Sequence, residues 1–168
     1  MKPSTMNLDD FVTSFGGVYE HSPWIASQTW QVCADKTQLD TPHGLAAALA
    51  NTSNAADTKT KLQLIRAHPD LAGKAAISGK LTRESAGEQK GAGLDQCTPE
   101  QFAHFTWLNA SYRQKFGFPF IIAVKGHDIG SILQAFEARL CHYPGQEMAE
   151  ALRQIDRIAG YRIEEIFT

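Results

Sequence analysis

Three hydroxyl–proline pairs restrict the fold of this chain more than any other feature of its 168 residues. They are Ser22-Pro23, Thr41-Pro42 and Thr98-Pro99. A serine or threonine side chain accepts hydrogen bonds from the first amides of a helix, and proline is favoured at the first helical position. Gln101 also follows Thr98 at the spacing of a capping box. Each pair therefore predicts the start of a helix.

Apolar residues after these starts recur with a helical period. In the helix after Thr98 they are Phe102, Phe105, Leu108 and Tyr112. A shorter helix must end near His68, because Pro69 disfavours helical geometry in the residue before it. Residues 130–139 and 145–167 predict two further helices. The expected fold is a single all-α domain over residues 1–168, with its own hydrophobic core.

The composition is that of an ordinary globular protein, with 43% hydrophobic and 20% charged residues. The net charge of -2 gives no basic face for phosphates, so nucleic acid is not an expected partner. No apolar run approaches the roughly 20 residues that cross a bilayer. The N-terminus also lacks the apolar core of a signal peptide. A cytoplasmic protein without membrane association is therefore expected.

The cysteines and histidines do not form the patterns of a disulfide framework or a zinc site. Cys33, Cys97 and Cys141 are scattered and odd in number, so reduced thiols are expected. The six histidines include no His-x-x-x-His pair. No metal site is therefore predicted.

One segment, Phe118–Val124, has the composition of a strand but no clear partner strand elsewhere. Unpaired backbone groups are costly when they are buried. The segment can be extended and offer its N–H and C=O groups to a ligand, or it can lie between helices with caps and water as partners. Composition alone favours the second alternative.

His68 is a candidate acid or base. An imidazole ordinarily titrates near neutral pH, which suits proton transfer. It stands beside the rigid Pro69 at a helix end, with Asp70 two positions on. The alternative is a histidine that caps the helix or serves only the structure.

A second candidate group lies in the segment from Ser85 to Gln89. On a helix, Ser85, Glu88 or Gln89, and Ala92 share one face. Small neighbours such as Gly87 allow a ligand or another backbone to approach closely. The alternative is a solvated helix face, because charged residues surround this segment.

Arg162 lies on the apolar line of the last helix. That line is otherwise formed by Met148, Leu152, Ile155, Ala159 and Ile166. A buried guanidinium is costly unless it meets an anion or several acceptors. Its planar fork suits a carboxylate or a urea carbonyl. The alternatives are a structural ion pair and a side chain that reaches solvent near the chain end.

Four motifs in order resemble the signature of 2-oxo-4-hydroxy-4-carboxy-5-ureidoimidazoline (OHCU) decarboxylases. They are HPDL at 68–71, Ser-x-x-Glu-Gln at 85–89, AGLD at 92–95 and FGFPFIIAV at 116–124. The resemblance extends over almost the whole chain. It implies a carboxy-lyase of urate breakdown that converts OHCU to (S)-allantoin with stereospecific protonation. It also implies an all-helical homodimer without metal or organic cofactor.

The resemblance also implies roles for individual residues. His68 would be the proton donor, and Glu88 and Arg162 would complete the catalytic group. Arg162 would also bind substrate, with the extended segment 118–124 lining the site. The further substrate contacts would be Pro69, Ser85, Glu88, Gln89, and the main chain of Phe120, Ile121, Ile122, Ala123 and Val124.

Two other functions fit the same residues. A similar pocket could hydrolyse or isomerise another ureido compound, which a panel of substrates would distinguish. A helical binding module could retain the family's residues after losing activity. The presence of His68, Glu88, Gln89 and Arg162 together argues against that second alternative.

Overall fold

Eight α-helices account for most of the ordered backbone in the computed structural model, which describes residues 2–73 and 78–168. The helices are α1 (Leu8–Phe15), α2 (Trp24–Val32), α3 (Pro42–Ala55), α4 (Thr58–Arg66), α5 (Arg83–Gly91), α6 (Pro99–Phe116), α7 (Ile129–Leu140) and α8 (Pro144–Phe167). Short 3-10 helices occupy Pro3–Thr5, Lys36–Asp40 and Leu94–Gln96. The described residues contain no strand, so the all-α prediction is confirmed.

A helix begins at or directly after each of the three hydroxyl–proline pairs, and two of the three predicted side-chain caps are confirmed. The Thr41 hydroxyl accepts from the Gly44 amide at the start of α3. Thr98 and Gln101 form a capping box at the start of α6. The prediction for Ser22 is wrong, because α2 begins at Trp24 without a side-chain cap. The Ser22 hydroxyl instead donates to the Glu20 carbonyl, 2.9 Å away.

The contacts divide the chain into two units, the first comprising residues up to Ala67 together with Ile155–Thr168. Within the first unit α1 packs on α2, and α2 packs on α3. The rings of Phe11 and Phe15 lie 4.9 Å apart between centroids, and both are buried. Thr29 donates to the Thr52 hydroxyl at 2.7 Å, which joins α2 to α3 through a buried hydrogen bond.

The second unit is His68–Gln154, and its core lies between α6 and α7. The predicted apolar face of α6 is confirmed at Phe105, Leu108 and Tyr112, which are all fully buried. Gly117 ends α6 with a φ of 76°, a left-handed conformation that glycine adopts without strain. This turn sends the chain directly into the segment Phe118–Val124.

Every residue of the segment Phe118–Val124 is buried, and none of them belongs to a helix or strand. The ring of Phe120 stacks on Phe136 of α7, with 3.8 Å between ring centroids. The ring of Tyr112 in α6 makes T-shaped contacts with both rings. The distances between ring centroids are 5.5 Å to Phe120 and 5.7 Å to Phe136. Aromatic packing therefore anchors the side chains of a segment whose backbone has no ladder.

The predicted apolar line of α8 is correct only in part. Met148, Leu152 and Ile166 are half-buried rather than buried. The buried residues of α8 are Glu147, Ala151, Gln154, Ile155, Ala159, Arg162 and Ile163. Hydrophobic periodicity misplaced this face because, besides Arg162, two of its buried members are polar: Glu147 and Gln154, which both have hydrogen-bond partners inside the protein.

None of the helices formed by the described residues is both long enough and apolar enough to cross a membrane.

Burial raises the pKa of Asp156, a carboxyl that accepts from the Tyr19 hydroxyl at 2.8 Å and from the Asn54 amide at 3.2 Å. A carboxyl with a raised pKa in the folded state stabilises the fold below its unfolded pKa of about 3.9. That contribution is lost as the pH rises through the folded pKa. The quantity to compare is the free energy of unfolding of the natural protein minus that of Asp156→Asn. We expect this difference to be smaller at about pH 7 than at about pH 4. The decrease should be about 1.4 kcal/mol for each unit by which folding raises the pKa of Asp156.

Urea denaturation of both proteins at the two pH values measures this difference. A difference that stays constant or grows with pH would contradict the raised pKa.

Candidate active site

His68 begins the loop that follows α4 and has only 6% of its surface exposed. The helix ends as predicted, with Arg66 as its last residue and Ala67 as the C-cap. The loop from His68 to Gly73 leads away from this end, and Pro69 restricts its second position. A buried histidine on a short loop is suitable for proton transfer only if the loop itself is held in place.

Side-chain amides from two helices hold this loop. Gln89 of α5 accepts from the Ala72 amide at 3.0 Å and donates to the Asp70 carbonyl at 3.2 Å. Asn109 of α6 donates to the Leu71 carbonyl at 2.9 Å. Three successive residues after Pro69 are thereby fixed through their main chain.

The charge of Asp70 adds a further connection to α6. Its carboxylate accepts from Arg113 Nε at 3.0 Å and lies 2.9 Å from Arg113 Nη2. Both of these contacts reach Asp70 Oδ1, and Arg113 Nε also donates to Oδ2 at 3.3 Å. The ion pair between Asp70 and Arg113 therefore attaches the loop to α6 at the protein surface, since both side chains are partly exposed.

Ala72 shows that the loop conformation is imposed by its surroundings. Its φ is 48°, in the left-handed region that residues with a Cβ rarely adopt. Such a conformation costs about 1–3 kcal/mol and persists only where neighbouring groups determine it. The hydrogen bond from the Ala72 amide to Gln89 supplies that constraint.

The predicted helix over Ser85–Gln89 is confirmed as α5, which Thr82 caps through the Ser85 amide. Ser85 and Gln89 are buried on one face, whereas Glu88 is partly exposed. The Gln89 amide is already engaged with the loop, yet it retains a second lone pair and a second N–H. Gln89 can thus hold the loop and contact another molecule.

Two cavities lie beside this loop within the second unit. The first, of about 520 Å³, is lined in part by Ala72, Gln89 and Phe102. The second, of about 450 Å³, is lined in part by Pro69, Asn109 and Phe102. Both have the size of small-molecule sites. His68 lines neither cavity.

The main chain of Phe118–Val124 is satisfied at only some of its groups. The Ile121 carbonyl accepts from Arg139 Nη1 at 2.6 Å, and the Ala123 amide donates to Gln154 Oε1 at 2.9 Å. The Val124 carbonyl accepts from the His127 amide at 2.9 Å. The burial of the segment and these side-chain and turn hydrogen bonds agree with the second sequence alternative, and contact with a ligand stays a prediction.

Arg162 belongs to the first unit, where 5% of its surface is exposed. Its Nη1 lies 3.1 Å from Glu20 Oε2 and donates to the Val18 carbonyl at 3.3 Å. The predicted burial is confirmed, and so is an ion pair of the kind the structural alternative requires. Glu20 is itself 2% exposed, so the two charges depend on one another.

Asn109, Arg113 and Glu20 were not singled out by the sequence reasoning. Asn109 lies beside Leu108 on the buried face of α6, and a lone amide on an apolar face is the signal that could have identified it. Glu20 carries no such signal, since nothing local in the sequence indicates that its partner lies more than a hundred residues away.

Within the described ranges, no three His, Cys, Asp or Glu side chains are grouped so that they could hold a metal ion.

The helical fold and the buried histidine on a clamped loop define the class as an all-α protein with a candidate acid–base side chain. The chain belongs to the OHCU decarboxylase family, whose model matches residues 4–164.

Individual relatives agree with this assignment. The chain is 44% identical over 156 residues to the OHCU decarboxylase of Halalkalicoccus jeotgali, covering 93% of this chain and 84% of that protein. It is 36% identical over 160 residues to the one of Haloferax volcanii, covering 95% and 90%. Among solved structures, it resembles (S)-allantoin synthase with a TM-score of 0.78 at 29% identity. That match covers 97% of this chain and 52% of the other, which is about twice as long.

Replacing Gln89 with methionine should destabilise the second unit, because both main-chain bonds to the loop are lost while the side-chain volume is retained. We expect the free energy of unfolding to fall by about 2 kcal/mol, since each unsatisfied buried group costs about 1–3 kcal/mol. Urea denaturation measures it. Gln114→Met, the same change at an exposed position of α6, is the matched control. Equal stabilities of the two variants would contradict the clamp.

Proposed function

We propose that this chain is a cofactor-independent carboxy-lyase that converts OHCU to (S)-allantoin in urate degradation. Membership of the OHCU decarboxylase family supports the reaction. The observation that carries the proposal is His68, a buried histidine on a loop fixed by Gln89 and Asn109. A general acid must be held in one orientation to protonate one face of a substrate.

The substrate's own chemistry supports a reaction without an organic cofactor. OHCU carries a carboxylate on a ring carbon next to a C=N group. When the bond to CO₂ breaks, its electron pair can enter that C=N group, which leaves a C=C bond between the two ring carbons and a nitrogen that takes up a proton. A proton then adds to the carbon that carries the ureido group, while the hydroxyl on the decarboxylated carbon loses its proton and becomes the C=O of allantoin. The enzyme must hold the carboxylate out of the ring plane, so that the breaking bond overlaps the C=N system. It must also deliver the proton to one face.

His68 is assigned the role of general acid, protonating the ring carbon or its conjugated oxygen. Glu88 either holds and charges His68 or destabilises the departing carboxylate by proximity. Glu88 lies on α5 one residue before Gln89 and is partly exposed.

The binding contacts other than Arg162 are assigned to residues of the second unit. Pro69, Ser85 and Gln89 would contact the ring and ureido groups, as would the main chain of 120–124. The burial of Ser85 and the remaining hydrogen-bonding capacity of Gln89 support these assignments. Arg162 would bind an oxygen of the substrate in addition to its contacts with Glu20 and the Val18 carbonyl.

We further propose that residues 1–168 act as one decarboxylase domain and that the protein is a cytoplasmic homodimer. The extent of the family match, residues 4–164, supports one functional domain.

Circular dichroism of the allantoin formed from OHCU, generated in situ from urate, tests the function. Because OHCU also decomposes unaided to racemic allantoin, rate and optical activity must be followed together. Addition of this protein should give rapid formation of the (S) signal. A racemic product at the uncatalysed rate, with the protein folded, would refute the proposed reaction.

His68→Asn should reduce turnover by about 10²–10⁴-fold, the usual contribution of a general acid, because asparagine cannot donate a proton of suitable pKa. The same dichroism assay measures turnover, and thermal unfolding checks that the fold is intact. His43→Asn, at an exposed position of α3 outside the proposed site, is the matched control. Near-normal turnover by folded His68→Asn would remove the acid assignment.

Two variants, Arg162→Ala and Glu20→Gln, distinguish the two possible roles of Arg162, which are binding the substrate and forming a structural ion pair with Glu20. Both break the pair, but only the first removes the guanidinium. If Arg162 binds substrate, kcat/KM should fall by about 10²-fold or more in Arg162→Ala and much less in Glu20→Gln. Steady-state kinetics and melting temperatures measure the two effects. An unchanged rate with a lower melting temperature in Arg162→Ala would assign this residue to the structure alone.

A further inference from the structure

A buried charge cluster in the second unit centres on Glu147, which has no exposed surface. Its Oε1 accepts from Arg139 Nε at 2.7 Å and from the Tyr112 hydroxyl. Its Oε2 lies 2.8 Å from His142 Nδ1. Burial, and then the bond to Glu147, raise the pKa of Tyr112, so its hydroxyl stays protonated and continues to donate. A carboxylate without solvent requires partners of this kind.

Arg139 connects this cluster to the segment Phe118–Val124. While Nε binds Glu147, Nη1 donates to the Ile121 carbonyl at 2.6 Å. The guanidinium carbon also lies 4.4 Å from the centroid of the Phe120 ring, in a cation–π position. One side chain of α7 therefore fixes both a carbonyl and a ring of the segment, and Glu147 fixes that side chain.

Gln154 of α8 makes a second connection two residues further on. Its Oε1 accepts from the Ala123 amide at 2.9 Å, and its Nε2 donates to Glu150 Oε1 at 2.7 Å. The bond to a carboxylate determines which end of the amide faces Ala123, because Glu150 can only accept. Gln154 is 8% exposed, so its acceptor is held at a buried position.

Ile122, between these two attachment points, is 7% exposed. Across the described part of the chain, neither its N–H nor its C=O has a hydrogen-bond partner. More than about 90% of buried backbone groups in native proteins are paired with protein or ordered water. Two unpaired groups on one buried residue are therefore unusual, and they are available to a molecule that binds beside the segment.

We propose that Arg139 and Gln154 are positioning residues, which hold the main chain on either side of Ile122 so that its N–H and C=O face the substrate. This inference rests on the proposed function. A donor and an acceptor on one residue match a cyclic amide or ureido group, which presents C=O and N–H side by side. The N–H and C=O of Ile122 thus select substrates that carry an amide or ureido group, whereas protonation of the substrate is the role of His68.

A purely structural role for these side chains predicts a different outcome. Loss of a buried hydrogen bond would then lower stability without changing the affinity for substrate. A positioning role predicts a rise in KM with a smaller change in kcat, because the amide edge is bound both before and during the reaction.

Steady-state decarboxylation of OHCU by Gln154→Met provides the test, because methionine keeps the length of the side chain but not its acceptor. We expect KM to rise about tenfold, the effect of one lost hydrogen bond, and kcat to change less than about threefold. The matched control is Thr29→Val, which removes a buried hydrogen bond of the first unit and should lower the melting temperature without raising KM.

An unchanged KM in folded Gln154→Met would overturn the inference. If Gln154→Met does not fold, Arg139→Lys takes its place, because lysine keeps a charge for Glu147 but cannot also reach the Ile121 carbonyl in the same geometry. The same rise in KM is then expected, and its absence overturns the inference. Failure of the proposed function would be seen separately, as a natural protein that does not accelerate the reaction.

Discussion

Buried polar backbone must find partners, and in the second unit three side-chain amides supply them. Gln89 and Asn109 bind the loop after His68, and Gln154 binds the segment after α6. Both stretches of chain lie outside regular structure, so no ladder or helix satisfies their N–H and C=O groups. The amides substitute for secondary structure, and they do so at the two places where the proposed chemistry needs a fixed backbone.

The need to pair buried backbone groups also explains the buried charged residues Arg139 and Glu147 near the segment Phe118–Val124. Arg139 can donate to the Ile121 carbonyl only if its charge is compensated, and Glu147 provides that charge without access to solvent. Truncating either partner of a buried pair costs about 3–5 kcal/mol, because the other charge is left unpaired. Orientation of one carbonyl thus depends on a carboxylate that does not touch the segment itself.

Much of this arrangement was predictable from local sequence, and the rest depends on contacts that local sequence does not contain. Helix starts at Thr41 and Thr98 follow from capping chemistry, and the end of α4 follows from Pro69. The burial of Arg162 followed from periodicity, but its partner Glu20 did not. Ser22 failed as a cap because its hydroxyl found the nearer Glu20 carbonyl. On α8, buried Glu147 and Gln154 misled a hydrophobic criterion, since their partners come from other elements.

The proposed reaction accounts for why rigidity, rather than a concentration of reactive groups, is the main property of the second unit. If the substrate's C=N group accepts the electron pair, the protein has to supply orientation and one proton. Both tasks depend on where backbone and imidazole are held, and small displacements are costly in such reactions. Ala72, kept at a φ of 48° by Gln89, shows that the fold accepts local strain to set the His68 loop. The loop thus loses some stability at Ala72, and the Gln89 hydrogen bond to the Ala72 amide offsets part of that loss.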